Sequence, residues 1–239
     1  MSTVKGGNTF AGVPIGVLVL NAKYPLIPGN VANAKSYQFP VCFQVVDLPT
    51  RWWFELNEEK YQIFIQAAKK LENKGVKAII CGCGLFVTWQ ERAAEDLSIP
   101  IFTSPLLLVP MISKMIGTKQ KVGILTAAGE RLYEGNFLTA SGIDSNVSFV
   151  IGGIDTCSEF LDVIRYQKKP EMNVTLFEKQ VVTVAETMLK ENPDIGVFLL
   201  ECSDIPPFSN AIVAATGKPV FDFISAAHMI YASLEPPTY

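Results

Sequence analysis

The chain predicts an α/β protein made of two similar halves, each a parallel sheet covered by helices. Three observations carry this expectation. Short apolar runs alternate with helix-period segments throughout, the pattern of parallel strands joined by helical crossovers. Ile15-Gly-Val-Leu-Val19 is echoed by Val122-Gly-Ile-Leu-Thr126. The echo also keeps its register, because Cys83 stands 17 residues before Pro100 and Cys202 stands 17 before Pro219.

In order, Ile15–Leu20 reads as a buried strand, rich in β-branched residues and ended by a polar position. Residues 58–73 read as a helix, with Tyr61, Phe64, Ala68 and Leu71 on one stripe and Gly75 just past its end. Residues 76–80 form the next strand, running into Cys81-Gly-Cys83-Gly84, and a helix over 89–97 leads to a short strand at 100–102. The second half restarts at Lys121 with strand 122–126. A helix over 130–140 stops at Gly142, a strand follows at 147–151, and a long helix covers 174–190 before Pro193. Residues 195–200 form a strand that enters Glu201-Cys202, and Pro206-Pro207 suits a helix start. Lys218-Pro-Val-Phe221 then mirrors Ile99-Pro-Ile-Phe102. The expected division is 1–118 with 223–239 as one half and 119–222 as the other.

Composition narrows the functional classes. With 49% apolar and 18% charged residues the chain is globular, and its formal charge of −3 includes no basic run suited to nucleic acid. The apolar stretch at 13–20 is far shorter than the roughly 20 residues of a membrane span. It also lacks the flanks of an export signal, so a cytoplasmic protein with no membrane partner is expected. Five scattered cysteines do not make a disulfide framework. Cys81-Gly-Cys83 is too tight for the usual zinc spacing, and His228 is the single histidine. Gly12-Val-Pro-Ile-Gly16 precedes its strand and Gly152-Gly153 lacks further glycines, so neither is a nucleotide fingerprint. No cofactor or metal is expected.

Ligands of open parallel sheets bind beyond the carboxyl ends of the strands, where Asn21, Cys83, Thr126 and Cys202 fall. A lone cysteine is most often a small buried hydrophobe, the reading given to Cys42, Cys81 and Cys157. The matched placement of Cys83 and Cys202 instead points to catalysis. Two thiols on opposite walls of a cleft can remove a proton from one face of a carbon and return one to the other. Backbone N–H groups near Gly84 and Ser203 would stabilise a thiolate or a substrate carboxylate. Glu201 is expected to point away from Cys202, while Asp204 is placed to face the cleft. The Pro25–Asn30 stretch is either a substrate loop or a surface connection.

These motifs, with Ile27-Pro-Gly-Asn30, Cys83-Gly-Leu-Phe86 and Leu200-Glu-Cys-Ser-Asp-Ile-Pro-Pro207, resemble the aspartate/glutamate/hydantoin racemase superfamily over nearly the whole chain. The resemblance implies two flavodoxin-like halves related by a pseudo-twofold axis, with the active site between them. It implies Cys83 and Cys202 as an acid/base pair, with Asn21, Thr126, Ser203 and backbone near Gly84 at a small carboxylate substrate; Leu85 and Asp204 are expected to line the same substrate site. A homodimer is common there. Gly84-Leu85 stands where the amino-acid racemases usually carry Asn-Thr, which removes polar contacts and argues against aspartate or glutamate. The pattern is closer to a separate branch, related to arylmalonate decarboxylase and maleate isomerase.

The leading expectation is therefore a cofactor-independent racemase or epimerase, an isomerase, because both cysteines are retained. The alternatives are a cis-trans isomerase or decarboxylase relying mainly on Cys202, or a non-catalytic two-lobed binding protein. Arg51, Arg92, Arg131 and Arg165 are equal candidates for a distal contact to the substrate.

Overall fold

A computed structural model describes residues 6–7, 11–49 and 55–236. In chain order the elements are β1 (Ile15–Leu20), β2 (Val41–Val46), α1 (Glu58–Asn73), β3 (Ala78–Cys81), α2 (Gln90–Asp96), β4 (Ile101–Phe102) and α3 (Val109–Ile116). They continue as β5 (Lys121–Thr126), α4 (Phe137–Ala140), β6 (Phe149–Gly153), α5 (Val174–Glu191), β7 (Ile195–Leu200), α6 (Ser209–Thr216), β8 (Val220–Phe221) and α7 (Phe223–Leu234). The strands form two sheets, ordered β2-β1-β3-β4 and β6-β5-β7-β8, and every pairing is parallel. Each sheet thus repeats the same doubly wound order, as the sequence echo predicts.

Local chemistry explains the elements. Helix α1 is capped by Asn57, whose side chain accepts from the Lys60 N–H, and Glu58 and Glu59 complement its N-terminal dipole. Its buried stripe is Tyr61, Phe64, Ala68 and Leu71, joined by Ile65 and Ala67. Gly16 on β1 lets this helix come close, since a Cβ there would meet Leu71 Cδ1 at 2.9 Å; at the equivalent Gly123 it would meet the Phe198 ring at 2.8 Å.

The core does not stop at the sequence midpoint. One cluster joins Ile79, Leu106 and Ile112 of the first half to Val122, Ile124, Val197 and Leu199 of the second sheet. Helix α7, closed by a capping box between Asp222 and Ser225, returns to the first sheet, where Phe223 and Ala227 pack on Ile15, Val17 and Ile80.

Several boundaries differ from expectation. The helix expected over 130–140 is a 3-10 turn at Gly129–Tyr133 followed by the short α4, because Gly135 (φ +69°) breaks it. The strand expected at 147–151 lies two residues later. A π-helical turn, Phe160–Arg165, follows β6. Among the described residues, no helix is long and apolar enough to cross a membrane.

Candidate active site

The carboxyl ends of β1, β3, β5 and β7 converge on one cavity of about 100 Å³. Cys83 enters it from the turn after β3 and Cys202 from the turn after β7. Cys83 is half-buried and immediately precedes the 3-10 turn Gly84–Trp89, while Cys202 is buried. The two lie close enough for negative charge on Cys83 to push up the Cys202 thiol.

Cys202 sits in an acidic setting. Its Sγ lies 3.6 Å from Asp204 Oδ2, and the Asp204 N–H donates back to the sulfur. Burial, then the Asp204 and Glu201 carboxyls, raise this thiol well above its ordinary value, so it rests protonated. Asp204 accepts hydrogen bonds from Asn30 Nδ2 at 2.6 Å and Tyr24 Oη at 3.2 Å. Burial lifts its carboxyl to about 6 against the pull of those donors. Tyr24 and Asn30 come from the loop after β1, so these bonds tie the first half to the Cys202 loop. Gly29 brings the same loop onto Pro207, with φ +99° and an ideal Cβ only 2.5 Å from Pro207 Cα.

Glu201, expected to face away, lines the cavity as well. It is 2% exposed, accepts from Thr126 Oγ1 at 2.7 Å and from the Ala127 N–H, and burial raises it to about 7. Its carboxyl fills the space that Gly84 leaves open: a Cβ at Gly84 would collide with Glu201 Oε1 and lie 2.5 Å from the Glu201 carbonyl. Among the described residues, neither Glu201 nor Asp204 pairs with a lysine or arginine.

Of the residues expected here, Cys83, Gly84, Leu85, Cys202, Ser203 and Asp204 line the cavity together. Thr126 is fully buried and reaches it through Glu201. Asn21 does not join them. The chain turns directly after β1, with Ala22 N–H donating to Leu20, and leaves the Asn21 amide exposed beside Asp47. Tyr24, Asn30 and Glu201 were not among the expected binding residues, although Ile27-Pro-Gly-Asn30 marked the segment that carries Asn30.

Of the candidate arginines, Arg165 lines the cavity, donates to the Ala127 carbonyl and lies over the Phe160 ring. Arg92 pairs with Glu58 on the surface, and Arg51 lies outside the described residues. His228 packs edge-on against Phe39, away from the cavity. Among the described residues, no three His, Cys, Asp or Glu side chains are grouped to hold a metal ion.

No family model matches the chain. It is 31% identical over 236 residues to a dimethylsulfoniopropionate lyase of Durusdinium sp. clade D, covering 94% of this chain and 76% of that protein. It is 30% identical to dimethylsulfoniopropionate lyase 7 of Emiliania huxleyi (strain CCMP1516), covering 92% and 67%. This chain belongs to the dimethylsulfoniopropionate lyase family. It spans 59% of the length of lyases 3 and 6 of the same alga.

Among solved structures, it superposes on unliganded arylmalonate decarboxylase with a TM-score of 0.61 and 14% identity, covering 95% of this chain and 94% of that one. Glutamate racemase of Francisella tularensis gives a TM-score of 0.58 at 19% identity, over 93% and 81%. The fold is that of the aspartate/glutamate/hydantoin racemase superfamily, as the motifs imply. The expected activity is corrected: the family consists of lyases, which break a bond, and the racemase or epimerase reading does not survive it.

Proposed function

We propose that this chain is a lyase that cleaves dimethylsulfoniopropionate, or a closely related β-sulfonio carboxylate, by elimination across its α and β carbons. The observation that carries the reading is the similarity to dimethylsulfoniopropionate lyases along nearly the entire chain. A small cavity holding two thiols and two buried carboxyls supports it.

In this reading Cys202 is the base. Its proton passes to Asp204, which is already within reach of the thiol and has a carboxyl held near 6. The thiolate removes the α-proton. That electron pair becomes the carbon–carbon double bond, and the carbon–sulfur pair leaves with neutral dimethyl sulfide, giving acrylate. The proton then returns to solvent through Asp204. Arg165 and the backbone N–H groups of Gly84, Leu85 and Ser203 hold the substrate carboxylate and stabilise charge that spreads onto it in the transition state. Cys83 shapes the opposite side of the cavity.

The test is direct: purified protein is incubated with dimethylsulfoniopropionate, dimethyl sulfide is measured in the headspace, and acrylate in solution. Equal release of both above a protein-free control is expected. No release, or dimethyl sulfide without acrylate, would overturn the assignment.

A further inference from the structure

A cation stands at the cavity without an anion to pair with. Arg165 lines it, and among the described residues no carboxylate forms an ion pair with its guanidinium. One N–H of that group donates to the Ala127 carbonyl, just past β5, and its central carbon lies 5.0 Å from the centroid of the Phe160 ring. The ring contact depends on the local backbone. In an α-helix residue i+5 points about 140° away from residue i, so an arginine five places on would leave the ring uncovered. The π-helical turn Phe160–Arg165 takes up roughly one residue more per turn, which returns i+4 and i+5 to the face of i. The bonding shows the switch: the Leu161 N–H reaches the Cys157 carbonyl four residues back, and the Tyr166 N–H reaches the Leu161 carbonyl five back. Phe160, Ile164 and Arg165 all line the cavity in this register. The exit is held as well. Gln167, the one non-glycine residue with positive φ among the described residues (+49°), turns the chain, and the Asp162 carbonyl accepts from both the Lys168 and Lys169 N–H groups.

We propose that Phe160 is a positioning residue for Arg165: through the π-helical register its ring, together with the Ala127 carbonyl, holds the guanidinium ready to receive the carboxylate of the substrate. An aromatic face attracts a cation without occupying any of its N–H groups. Ala127 takes one N–H, so the other donors of the fork are left for the cavity, where a parallel pair matches a carboxylate. A long arginine side chain otherwise loses rotamer freedom when it binds a ligand; here that freedom is already lost on folding, which strengthens binding. The inference rests on the lyase reading for the identity of the substrate. It adds the residue that orients the carboxylate's partner, and it applies to any small monocarboxylate that enters this cavity.

Equilibrium binding to the intact chain tests this without requiring turnover. The probes are propanoate and its uncharged amide, propanamide, titrated by ligand-detected NMR at pH 6, where Glu201, raised to about 7, is largely neutral. A charge-assisted hydrogen bond outweighs a neutral one, so the unmodified protein is expected to prefer propanoate by about fivefold or more. Phe160→Leu keeps an apolar wall without the ring and is expected to lower that preference by about threefold or more. Phe160→Tyr, which keeps the ring, is expected to restore it. An unchanged preference in Phe160→Leu, or a loss shared equally by both ligands as a merely structural role predicts, would overturn the positioning role. A second readout needs no variant: in the ligand-free protein the Arg165 Nε–H is expected to be about as rigid as the backbone, and an order parameter below about 0.6 would overturn the proposal. Dimethyl sulfide release, assayed on the same preparation, separates the two claims. A propanoate preference that depends on residue 160, without turnover, would overturn the lyase assignment and support the positioning role; turnover with a preference indifferent to residue 160 would do the reverse.

Discussion

Replacing Gly84 with alanine puts a methyl group where the two cysteine loops meet. The new Cβ falls against the Glu201 carboxyl and 2.5 Å from the Glu201 carbonyl oxygen, whereas ordinary contact begins at 3.4 Å. A carboxyl can rotate aside, but the carbonyl belongs to the backbone. The loops must therefore part by about 0.9 Å, the difference between those two distances. Cys202 is the next residue, so its thiol moves with the carbonyl. Gly84 is not in the left-handed region, which makes the effect steric rather than conformational. Overpacking of this kind costs about 1–3 kcal/mol of stability, and a misplacement near 1 Å costs about 10²-fold in turnover. Dimethyl sulfide release at saturating substrate, with a calorimetric melt on the same sample, measures both. A Gly82→Ala control, whose Cβ meets its nearest atom at 3.0 Å, is expected to be milder. Wild-type turnover and an unchanged melt in Gly84→Ala would refute the close approach of the two loops.

Cys202→Ser is expected to lower turnover by about 10²–10⁴-fold, the worth of a general base, and Cys83→Ser by less; equal tolerance of both in the headspace assay would remove Cys202 from its role. Glu201 and Asp204, raised by burial to about 7 and about 6 from 4.5 and 3.8, keep protons in the folded state that the unfolded chain has already released. Their contribution to stability is therefore full below pH 3.8 and is lost as pH climbs to 7, so the melting temperature should fall between pH 5 and 7. Glu201→Gln should flatten that fall. A rising profile in Glu201→Gln's parent would contradict the burial; Glu58, held down to about 2 by exposed Arg92, acts below this window. Gly29→Ala forces a side chain into the left-handed region and onto Pro207, and is expected to cost about 2 kcal/mol or more by chemical denaturation.

The sequence made the repeating framework visible because apolar periodicity and the matched cysteine spacing are local signals. Strands β1, β3, β5 and β7, helices α1 and α5, and the placement of Cys83 and Cys202 at strand ends all follow from them. Strand β2 escaped because it is a half-exposed edge strand with no strict alternation. Asn21 was misplaced because strand geometry was extended into a segment that turns. Glu201 was misjudged for the related reason that β7 ends at Leu200, so strict strand alternation no longer governs its direction. Tyr24 and Asn30 meet Asp204 across separations of 180 and 174 residues, and no local spacing encodes such contacts. Activity lay further still from the pattern: paired thiols at strand ends serve proton transfer in general, and only relatives at 30–31% identity separate a lyase from a racemase.

The most direct measurement uses dimethylsulfoniopropionate carrying deuterium at both α positions, with products identified by mass spectrometry. Elimination predicts dimethyl sulfide and acrylate that retains a single deuterium, both lost together in Cys202→Ser. Recovery of 3-hydroxypropanoate with both deuteriums, or unreacted substrate that has only exchanged deuterium for protons, would contradict the lyase mechanism.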